Sequence, residues 1–401
     1  MRVIRITLLV VFSAMAAAQT PMPPAQAGRP MGPVWRMQES GTTAGLRGID
    51  AVDGTVAWAS GTGGTVLRTT DGGEHWTKCA TPDAATDGVT LDFRGVQAWD
   101  AKTAVVMASG PGDKSRLYKT TDGCETWKLA FKNPDKDGFW DSLRFDKLAG
   151  DAGLGTQGIL IGDPLDGKFQ IFRSSDRGVT WRRWGGKESD QEGGDKELQA
   201  GAKKGEALFA ASNESLSLWS GDRFIFVTGG VSGARLTYSD EGVLCNELGW
   251  GCTISFSNLG LPTLPSGPSS GAFAIASKDF HHYFPLRLMV VGGDYAKPDQ
   301  ALGTSVFLSS RDGAHTPFTS YFDAITPTKP PHGYRSAVQW SEALRVWIAV
   351  GTNGSDESRD DGKTWQPLDD GNWNALSLPF VVGPNGRIAR LNAGVLPAGK
   401  Q

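Results

Sequence analysis

Three arginines occupy the same position in three similar segments of the chain. The segments are LRGIDA, FRGVQAW and YRSAVQ, and their second residues are Arg47, Arg94 and Arg335. A guanidinium group binds carboxylate, phosphate or sulfate through paired, charge-assisted hydrogen bonds. If the three segments lie side by side, these arginines form a binding site for an anionic ligand or for an anionic group of a partner.

Two further segments place a polar residue at the same position. WDSLRF has Asp141 and WNALSL has Asn374 as its second residue, and we assign both to the same candidate site. A structural interpretation stands beside this one. Long polar side chains often only fill a wet channel, and Arg47 is then simply paired with Asp141 or with a loop acid.

These segments belong to a sequence repeat with a period of about 50 residues. Each unit contains β-rich runs and a turn of the form Ser/Thr-x-Asp-x-Gly-x-x-Trp, for example TTDGGEHW. The aspartates and tryptophans of these turns are Asp71 and Trp76, Asp122 and Trp127, Asp176 and Trp181, and Asp360 and Trp365, with Asp240 and Asp312 in two weaker copies.

The chemistry of this turn indicates a structural role. Its aspartate can accept hydrogen bonds from backbone N–H groups of the turn, and its glycine suits a positive φ. The tryptophan then opens the next strand and packs between sheets. One carboxylate per turn falls far short of the roughly six oxygen ligands that calcium needs, so we expect no metal site.

The repeat predicts an all-β fold. Each unit supplies four short strands, and helical periodicity is absent over any long window. Four-stranded antiparallel sheets in series predict a single β-propeller over residues 34–395. VWRMQESGT resembles a fourth strand, whereas residues 373–392 supply only three. We therefore expect the strand around Trp35 to complete the C-terminal blade, which gives seven blades, with six or eight as alternatives.

The Ser/Thr-x-Asp-x-Gly-x-x-Trp turn resembles the Asp-box, or BNR, repeat of sialidases and related propellers. The longer stretch GTGGTVLRTTDGGEHW resembles the propellers of the photosystem II stability/assembly-factor type, and the resemblance covers roughly residues 35–395. It implies a non-catalytic scaffold that binds a protein or peptide partner. The repeat is specific for the fold and not for the function, because enzymes, receptors and scaffolds all carry it.

The resemblance to sialidases implies an alternative, a glycoside hydrolase whose arginines bind a substrate carboxylate. Sialidases use a tyrosine nucleophile assisted by a glutamate, together with an aspartate acid/base. The candidates for these roles are Tyr295 or Tyr334, Glu206 and Asp141, and a carboxyl pair of Asp141 with Asp163 is a further option. Gly48-Ile49 follows Arg47 where sialidases have an Arg-Ile-Pro motif, and this favours the scaffold.

The N-terminal residues predict export. Residues 1–18 combine two arginines, an apolar run and an Ala-rich end, so we expect a signal peptide that is cleaved near Ala18. Residues 19–33 are a Pro-rich flexible leader and residues 396–401 a tail. No other stretch is apolar enough to span a membrane. We expect a periplasmic or secreted monomer.

Composition and cysteine spacing narrow the remaining options. The formal net charge of −3 disfavours nucleic-acid binding. GTGGT is not followed by a predicted helix, so we expect no dinucleotide and no other cofactor. Cys245 and Cys252 flank a short loop that favours a local disulfide, whereas no local signal supports Cys79 with Cys124. The pairing stays open, since four cysteines allow three pairings.

Overall fold

The computed structural model describes residues 33–146, 156–184, 200–220, 223–240, 255–278, 286–310 and 322–396. Within these ranges the backbone forms β-strands and two short 3-10 turns, Gly88–Thr90 and Gly112–Lys114. No helix in these ranges has the length and hydropathy to cross a bilayer. The predicted signal peptide, nearly all of the leader and of the tail, and Asp312, Cys245 and Cys252 lie outside the described residues.

Five sheets contain four antiparallel strands each. They are β2 (Leu46–Ala51), β3 (Ala57–Gly61), β4 (Thr65–Thr69) and β5 (Thr77–Lys78); β6 (Phe93–Ala98), β7 (Ala104–Ala108), β8 (Arg116–Thr120) and β9 (Lys128–Lys132); β10 (Trp140–Phe145), β11 (Gly158–Leu165), β12 (Lys168–Ser174) and β13 (Arg182–Arg183); β23 (Ala337–Ser341), β24 (Val346–Gly351), β25 (Gly354–Ser358) and β26 (Gln366–Asp369); and β1 (Trp35–Gln38), β27 (Ala375–Ser377), β28 (Phe380–Val382) and β29 (Ile388–Leu391).

A nine-stranded sheet joins two further groups of four. The groups meet where β16 pairs with β19, at Gly229 opposite Gly271 and Gly230 opposite Gly267. Its strands are β14 (Glu206–Ala207), β15 (Leu216–Ser220), β16 (Arg223–Gly230), β17 (Arg235–Asp240), β18 (Ser255–Gly260), β19 (Gly267–Ser277), β20 (Arg287–Asp294), β21 (Ser305–Ser310) and β22 (Phe322–Ile325). The short strand β14 pairs with β16.

The apolar core lies between neighbouring sheets. The strands β7 (AVVMA) and β24 (VWIAVG) are buried along their whole length, because each has another sheet on both faces. Trp58 and Val66 of the first sheet share one cluster with Phe93 and Val106 of the second. Each sheet therefore depends on its neighbours for burial.

The strand around Trp35 pairs with the C-terminal end of the described chain. In β1 and β29, Trp35 lies opposite Leu391 and Gln38 opposite Ile388. The Trp35 ring is 4% exposed, its Nε1 donates to Ser355 Oγ at 2.9 Å, and it contacts the Trp373 ring. Residues from the two ends of the repeat thus build one sheet.

The Asp-box turns share one hydrogen-bond pattern. In the first, Asp71 Oδ1 accepts from Thr69 Oγ1 and from His75 N, while Gly73 N donates to Thr69 Oγ1. Hydrogen bonds from the His75 amide and ring lower the pKa of Asp71 to about 2. The same pattern recurs at Asp122, Asp176 and Asp360. These carboxylates are occupied by their own turns.

The box tryptophans pack across sheet boundaries. Trp76 contacts Phe380 with ring centroids 5.7 Å apart, and Trp127 contacts Trp58 at 6.4 Å. Trp365 is fully buried. Trp76 and Trp127 thus join their turns to an aromatic residue of a neighbouring sheet, and Trp365 lies in a buried cluster with Phe307 and Trp347.

A basic residue immediately before three of the boxes or their equivalent makes a second link between sheets. Arg68 donates to Ala101 O at 2.7 Å, and Lys119 donates to Arg177 O at 2.7 Å. Arg390 donates to Gly72 O at 3.1 Å. All three cations also lie over aromatic rings, at 5.7 Å from the ring centroid.

Side chains of one sheet also accept hydrogen bonds from the edge strand of the next. Asp50 of β2 accepts from Ala98 N at 2.6 Å, and Gln97 accepts from Phe145 N at 2.9 Å. Gln339 accepts from Leu378 N at 2.7 Å. These side chains satisfy backbone amides that have no partner strand at the edge of a sheet. We call these hydrogen bonds the edge-capping contacts. In two further edge-capping contacts, Ser377 Oγ accepts from Ala51 N and Asn213 Oδ1 accepts from Leu143 N.

One disulfide links the first and second sheets. Cys79, which follows β5, is bonded to Cys124, which occupies the glycine position of the second box. Both residues are buried. Cys124 has a φ of 72°, the left-handed conformation that glycine adopts in the other boxes. The pairing joins residues for which the sequence offered no local signal.

Deleting residues 34–40 should abolish cooperative unfolding. The deletion removes β1, exposes the edge of β29 and leaves Trp373 without its ring contact. Thermal unfolding followed by near-UV circular dichroism measures the effect. An unchanged melting curve would contradict the role of this strand.

Replacing Cys79 and Cys124 with serine should lower the free energy of unfolding by about 4 kcal/mol, because the bridge closes a 45-residue loop in the unfolded chain. The variant C79S/C124G should recover part of this loss, since glycine adopts the positive φ without strain. Chemical denaturation of the oxidised wild type and both variants tests this. Equal stability of all three proteins would rule out the contribution.

Candidate functional site

Four strands, β2, β6, β10 and β19, carry a β-bulge at the same place. Each is the first strand of its four-stranded group, and we call such strands first strands. The pairing register shifts between Leu46 and Gly48, between Phe93 and Gly95, between Trp140 and Ser142, and between Ala272 and Ala274. The residue at each shift has no pairing partner, and a bulge redirects its side chain. We call these residues the bulge site: Arg47, Arg94, Asp141 and Phe273.

The two arginines of the bulge site share one acid. Arg94 Nε donates to Asp92 Oδ2 at 2.8 Å, and Arg47 Nε lies 3.5 Å from the same oxygen. The side chains of Arg47 and Arg94 are 34% and 26% exposed, so both remain accessible. Burial lowers the pKa of Arg47, Asp92 raises it and Arg94 lowers it again. Two cations facing one carboxylate leave an excess of positive charge.

Arg335 lies elsewhere, which corrects its predicted membership of the site. Its side chain is fully buried, and its guanidinium donates to Asp356 through Nε at 2.7 Å and through Nη2. Nη1 donates to Asn353 Oδ1 at 2.6 Å. Arg335 precedes β23 and is not on a bulge. It is therefore a structural ion pair and not available to a ligand.

Asn374 also has a structural contact. Its Nδ2 donates to Leu46 O at 2.8 Å, and its backbone oxygen accepts from Ser336 Oγ at 2.8 Å. The first bond connects Asn374 to the residue before Arg47, and the second connects it to Ser336. Asn374 thus helps to hold the backbone next to Arg47.

Asp141 is buried beneath Arg94. It is 1% exposed, and its Oδ2 has no hydrogen-bond partner among the described residues. Burial raises the pKa of Asp141 well above its usual range, and the neighbouring Asp163 raises it further, while Arg94 and the amides of Asp163 and Ala210 act in the opposite direction. Asp92, and not the buried Asp141, is therefore the acid that forms an ion pair with Arg94.

Asp163 completes a clamp on the segment 208–210. Its Oδ1 accepts from Leu208 N at 3.0 Å, and burial raises its pKa. Arg94 Nη1 donates to Ala210 O at 3.3 Å. The residues that flank Phe209 on both sides are therefore bonded to the bulge site or to its neighbour.

Four aromatic residues adjoin the arginines. Phe209 stacks on Phe273 with centroids 4.1 Å apart, and Tyr295 and Tyr334 meet Phe273 edge-on at 6.1 and 4.8 Å. The Tyr334 hydroxyl lies close enough to Arg47 for the two to affect each other's pKa. We call these four residues the aromatic cluster. Phe209 in LFAASN and Phe273 in AFAIASK are the second residues of their segments, as Arg47 and Arg94 are of theirs, and this is the sequence signal that could have identified the cluster.

Of the residues of the hydrolase alternative, Asp141 and Asp163 are neighbours, whereas Glu206 lies in a different environment. Glu206 is buried and accepts from Arg235 Nε and from Thr228 Oγ1. Tyr334 is buried within the aromatic cluster, whereas Tyr295 is 51% exposed. The glutamate that would assist a tyrosine nucleophile is thus held by another ion pair. Among the described residues no group of three or more His, Cys, Asp or Glu side chains is arranged to hold a metal ion.

A second buried acid lies among the first strands. Glu214 Oε2 accepts from Val338 N at 2.9 Å, and the Leu376 amide also acts on this carboxylate. Burial raises the pKa of Glu214 to about 7, against the opposing effects of Arg144 and of the two amides. Glu214 therefore connects three sheets through one titrating group.

The protein should become less stable as the pH rises from about 4.5 to about 7. In this window folded Glu214 retains a proton that the unfolded chain has released, so the free energy of unfolding falls with pH and levels off above 7. The raised pKa values of Asp141 and Asp163 act in the same direction. The contribution of Glu214 is on the order of 3 kcal/mol.

The variant E214Q should show a shallower decline over this window. Denaturation midpoints at several pH values measure it, and E39Q, at an exposed position, serves as the control. Parallel pH profiles for wild type and E214Q would contradict the assignment.

These features define the class of protein. Four-stranded antiparallel sheets in series, each buried against its neighbours, are the architecture of a β-propeller. The protein is similar in structure to YCF48 bound to a D1 peptide, with a TM-score of 0.53, 15% identity and coverage of 92% of this chain and 96% of that one. It is also similar to YCF48 from Cyanidioschyzon merolae, with a TM-score of 0.54, 17% identity and coverage of 89% and 98%.

These likenesses confirm the β-propeller and its resemblance to the photosystem II assembly-factor type at the level of the fold. A GH74 enzyme of Niastella koreensis matches with a TM-score of 0.47 and 16% identity over 88% of this chain and 53% of that one, too weakly to bear on activity. No protein-family model and no curated protein sequence matches the chain.

Proposed function

We propose that this chain is an exported, non-catalytic β-propeller of seven blades that binds a peptide or protein segment through an anionic group. The observation that carries the proposal is the pair Arg47 and Arg94, both partly exposed and both on bulges, which share the single acid Asp92. An assembly or stability factor is the role that fits such a scaffold.

Seven blades follow if each four-stranded group is one blade. Five sheets and the two groups within the nine-stranded sheet supply them. Pairing of β1 with β29, and packing of β27 against β2, support closure of the ring between the ends of the repeat.

A peptide partner is supported by the site and by one structural relative. YCF48, similar in fold, has been solved bound to a D1 peptide. In the present chain, the arginine pair supplies donors for a carboxylate, and the adjacent side chains are held by hydrogen bonds before any ligand arrives.

Export is supported by the Cys79–Cys124 disulfide in addition to the N-terminal residues. Stable disulfides form mainly outside the reducing cytosol. We therefore place the mature protein in the periplasm or outside the cell, as a monomer.

The variant R47A/R94A should keep its fold and lose binding to carboxylate-bearing peptides. An array of short synthetic peptides, each made with a free C-terminal carboxylate and as its amide, measures binding. R36A, an exposed arginine that pairs with Glu74, is the matched control and should bind as the wild type does. Unchanged binding by R47A/R94A would exclude this site.

Arg335 offers the opposite comparison. R335A leaves the buried Asp356 with His332 as its remaining partner and without its guanidinium, which should cost about 3 kcal/mol of stability. Loss of folding rather than selective loss of peptide binding distinguishes the two arginine roles. A fluorogenic sialoside assay should show no turnover, and turnover that D141N abolishes would refute the non-catalytic role.

A further inference from the structure

We infer that the partner carries an aromatic or similarly flat apolar side chain beside its anionic group, and that this side chain packs against Phe209 and Tyr295. The inference rests on the proposed function and specifies which peptides the site selects. Its basis is the aromatic cluster, which the anionic group alone does not use.

The aromatic cluster presents rigid apolar surface to solvent. Tyr295 is 51% exposed and Phe209 is partly exposed, whereas Phe273 beneath them is 1% exposed. The Phe209 and Phe273 planes are 12° apart, and Tyr295 meets both rings nearly at right angles. Rings fixed in this way lose little entropy on binding and are typical anchors of interfaces.

The backbone around Phe209 is built to hold this ring. Gly229 and Gly271 lie beneath it, and a Cβ at either position would come within 2.7 or 3.3 Å of Phe209 Cε2. Leu208 N is bonded to Asp163, and the Ala210 amide acts on Asp141. Several independent contacts therefore fix a ring that remains partly exposed.

The cationic and aromatic parts are contiguous. Arg94 bonds to Ala210 O, one residue from Phe209, and Tyr334 lies within electrostatic reach of Arg47 while its ring contacts Phe273. Because Arg47 and Arg94 share one acid, the site complements a single negative charge. A peptide with a carboxylate next to an aromatic side chain satisfies both parts at once.

Fluorescence anisotropy of the full chain with four labelled, otherwise identical synthetic peptides tests the inference. The first has phenylalanine before a C-terminal alanine carboxylate, and the second has alanine in place of the phenylalanine. The third is the first as its C-terminal amide, and the fourth is that amide with glutamate beside the phenylalanine. The third and fourth show whether the carboxylate comes from the C-terminus or from a side chain.

Wild type should bind the first peptide about tenfold more tightly than the second. The variant Y295A should reduce this preference to less than about threefold and should melt as the wild type does, because the ring is exposed. F209A should reduce the preference to the same extent. V179S, which removes an exposed apolar side chain at a box turn, should leave the preference unchanged.

Three outcomes would overturn the inference. Equal binding of the first two peptides, with the amide weaker, removes the aromatic requirement and leaves the proposed function standing. A preference that persists in both Y295A and F209A places the aromatic contact elsewhere. No binding of any peptide by the wild type overturns the inference and the proposed function together.

Discussion

The architecture depends on satisfying backbone amides at the edges of the first strands. An unpaired edge is costly when buried and prone to wrong pairing when exposed. Here the edge-capping contacts solve both problems, since Asp50 and Gln97 each accept from the first strand of the next sheet. The same bonds fix the spacing between sheets. The strands that carry Arg47 and Arg94 are therefore positioned by these side chains.

The three kinds of link between sheets involve different strands and turns of each sheet. Edge-capping contacts join first strands, aromatic packing fills the middle, and the box tryptophans with their preceding cations act near the turns. Arg68 shows the combination, because it bonds to Ala101 O and lies over Trp58. No single link has to be strong when each sheet has several.

Much of the fold was predictable because the box turn encodes its own hydrogen bonds locally. Thr69, Asp71 and Gly73 lie within five residues, so their spacing alone indicates the turn. The partner strand of Trp35 was predictable from the missing fourth strand. The ion pair of Arg335 was not, since Asp356 lies on another strand and nothing in YRSAVQ specifies which way the guanidinium turns. The Cys79–Cys124 bridge likewise depends on the contact of two sheets.

The candidate site was only half predictable for a similar reason. Position in the segment identified Arg47, Arg94 and Asp141, but bulges are a matter of register, which requires the partner strand. The aromatic cluster brings together residues from separate strands and loops, and stacking of Phe209 on Phe273 relies on Gly229 and Gly271. Long-range packing of this kind leaves no periodic trace in the sequence.

The bulges have a consequence for how such a protein can change over evolutionary time. A residue at a bulge has no directly opposite residue on the partner strand, so its replacement removes no cross-strand side-chain pair. Arg47 and Arg94 can therefore be exchanged for other side chains while the strands that carry them keep their register. Under the proposed function, substitutions at these two positions would change ligand preference while leaving the pairing of the strands unchanged.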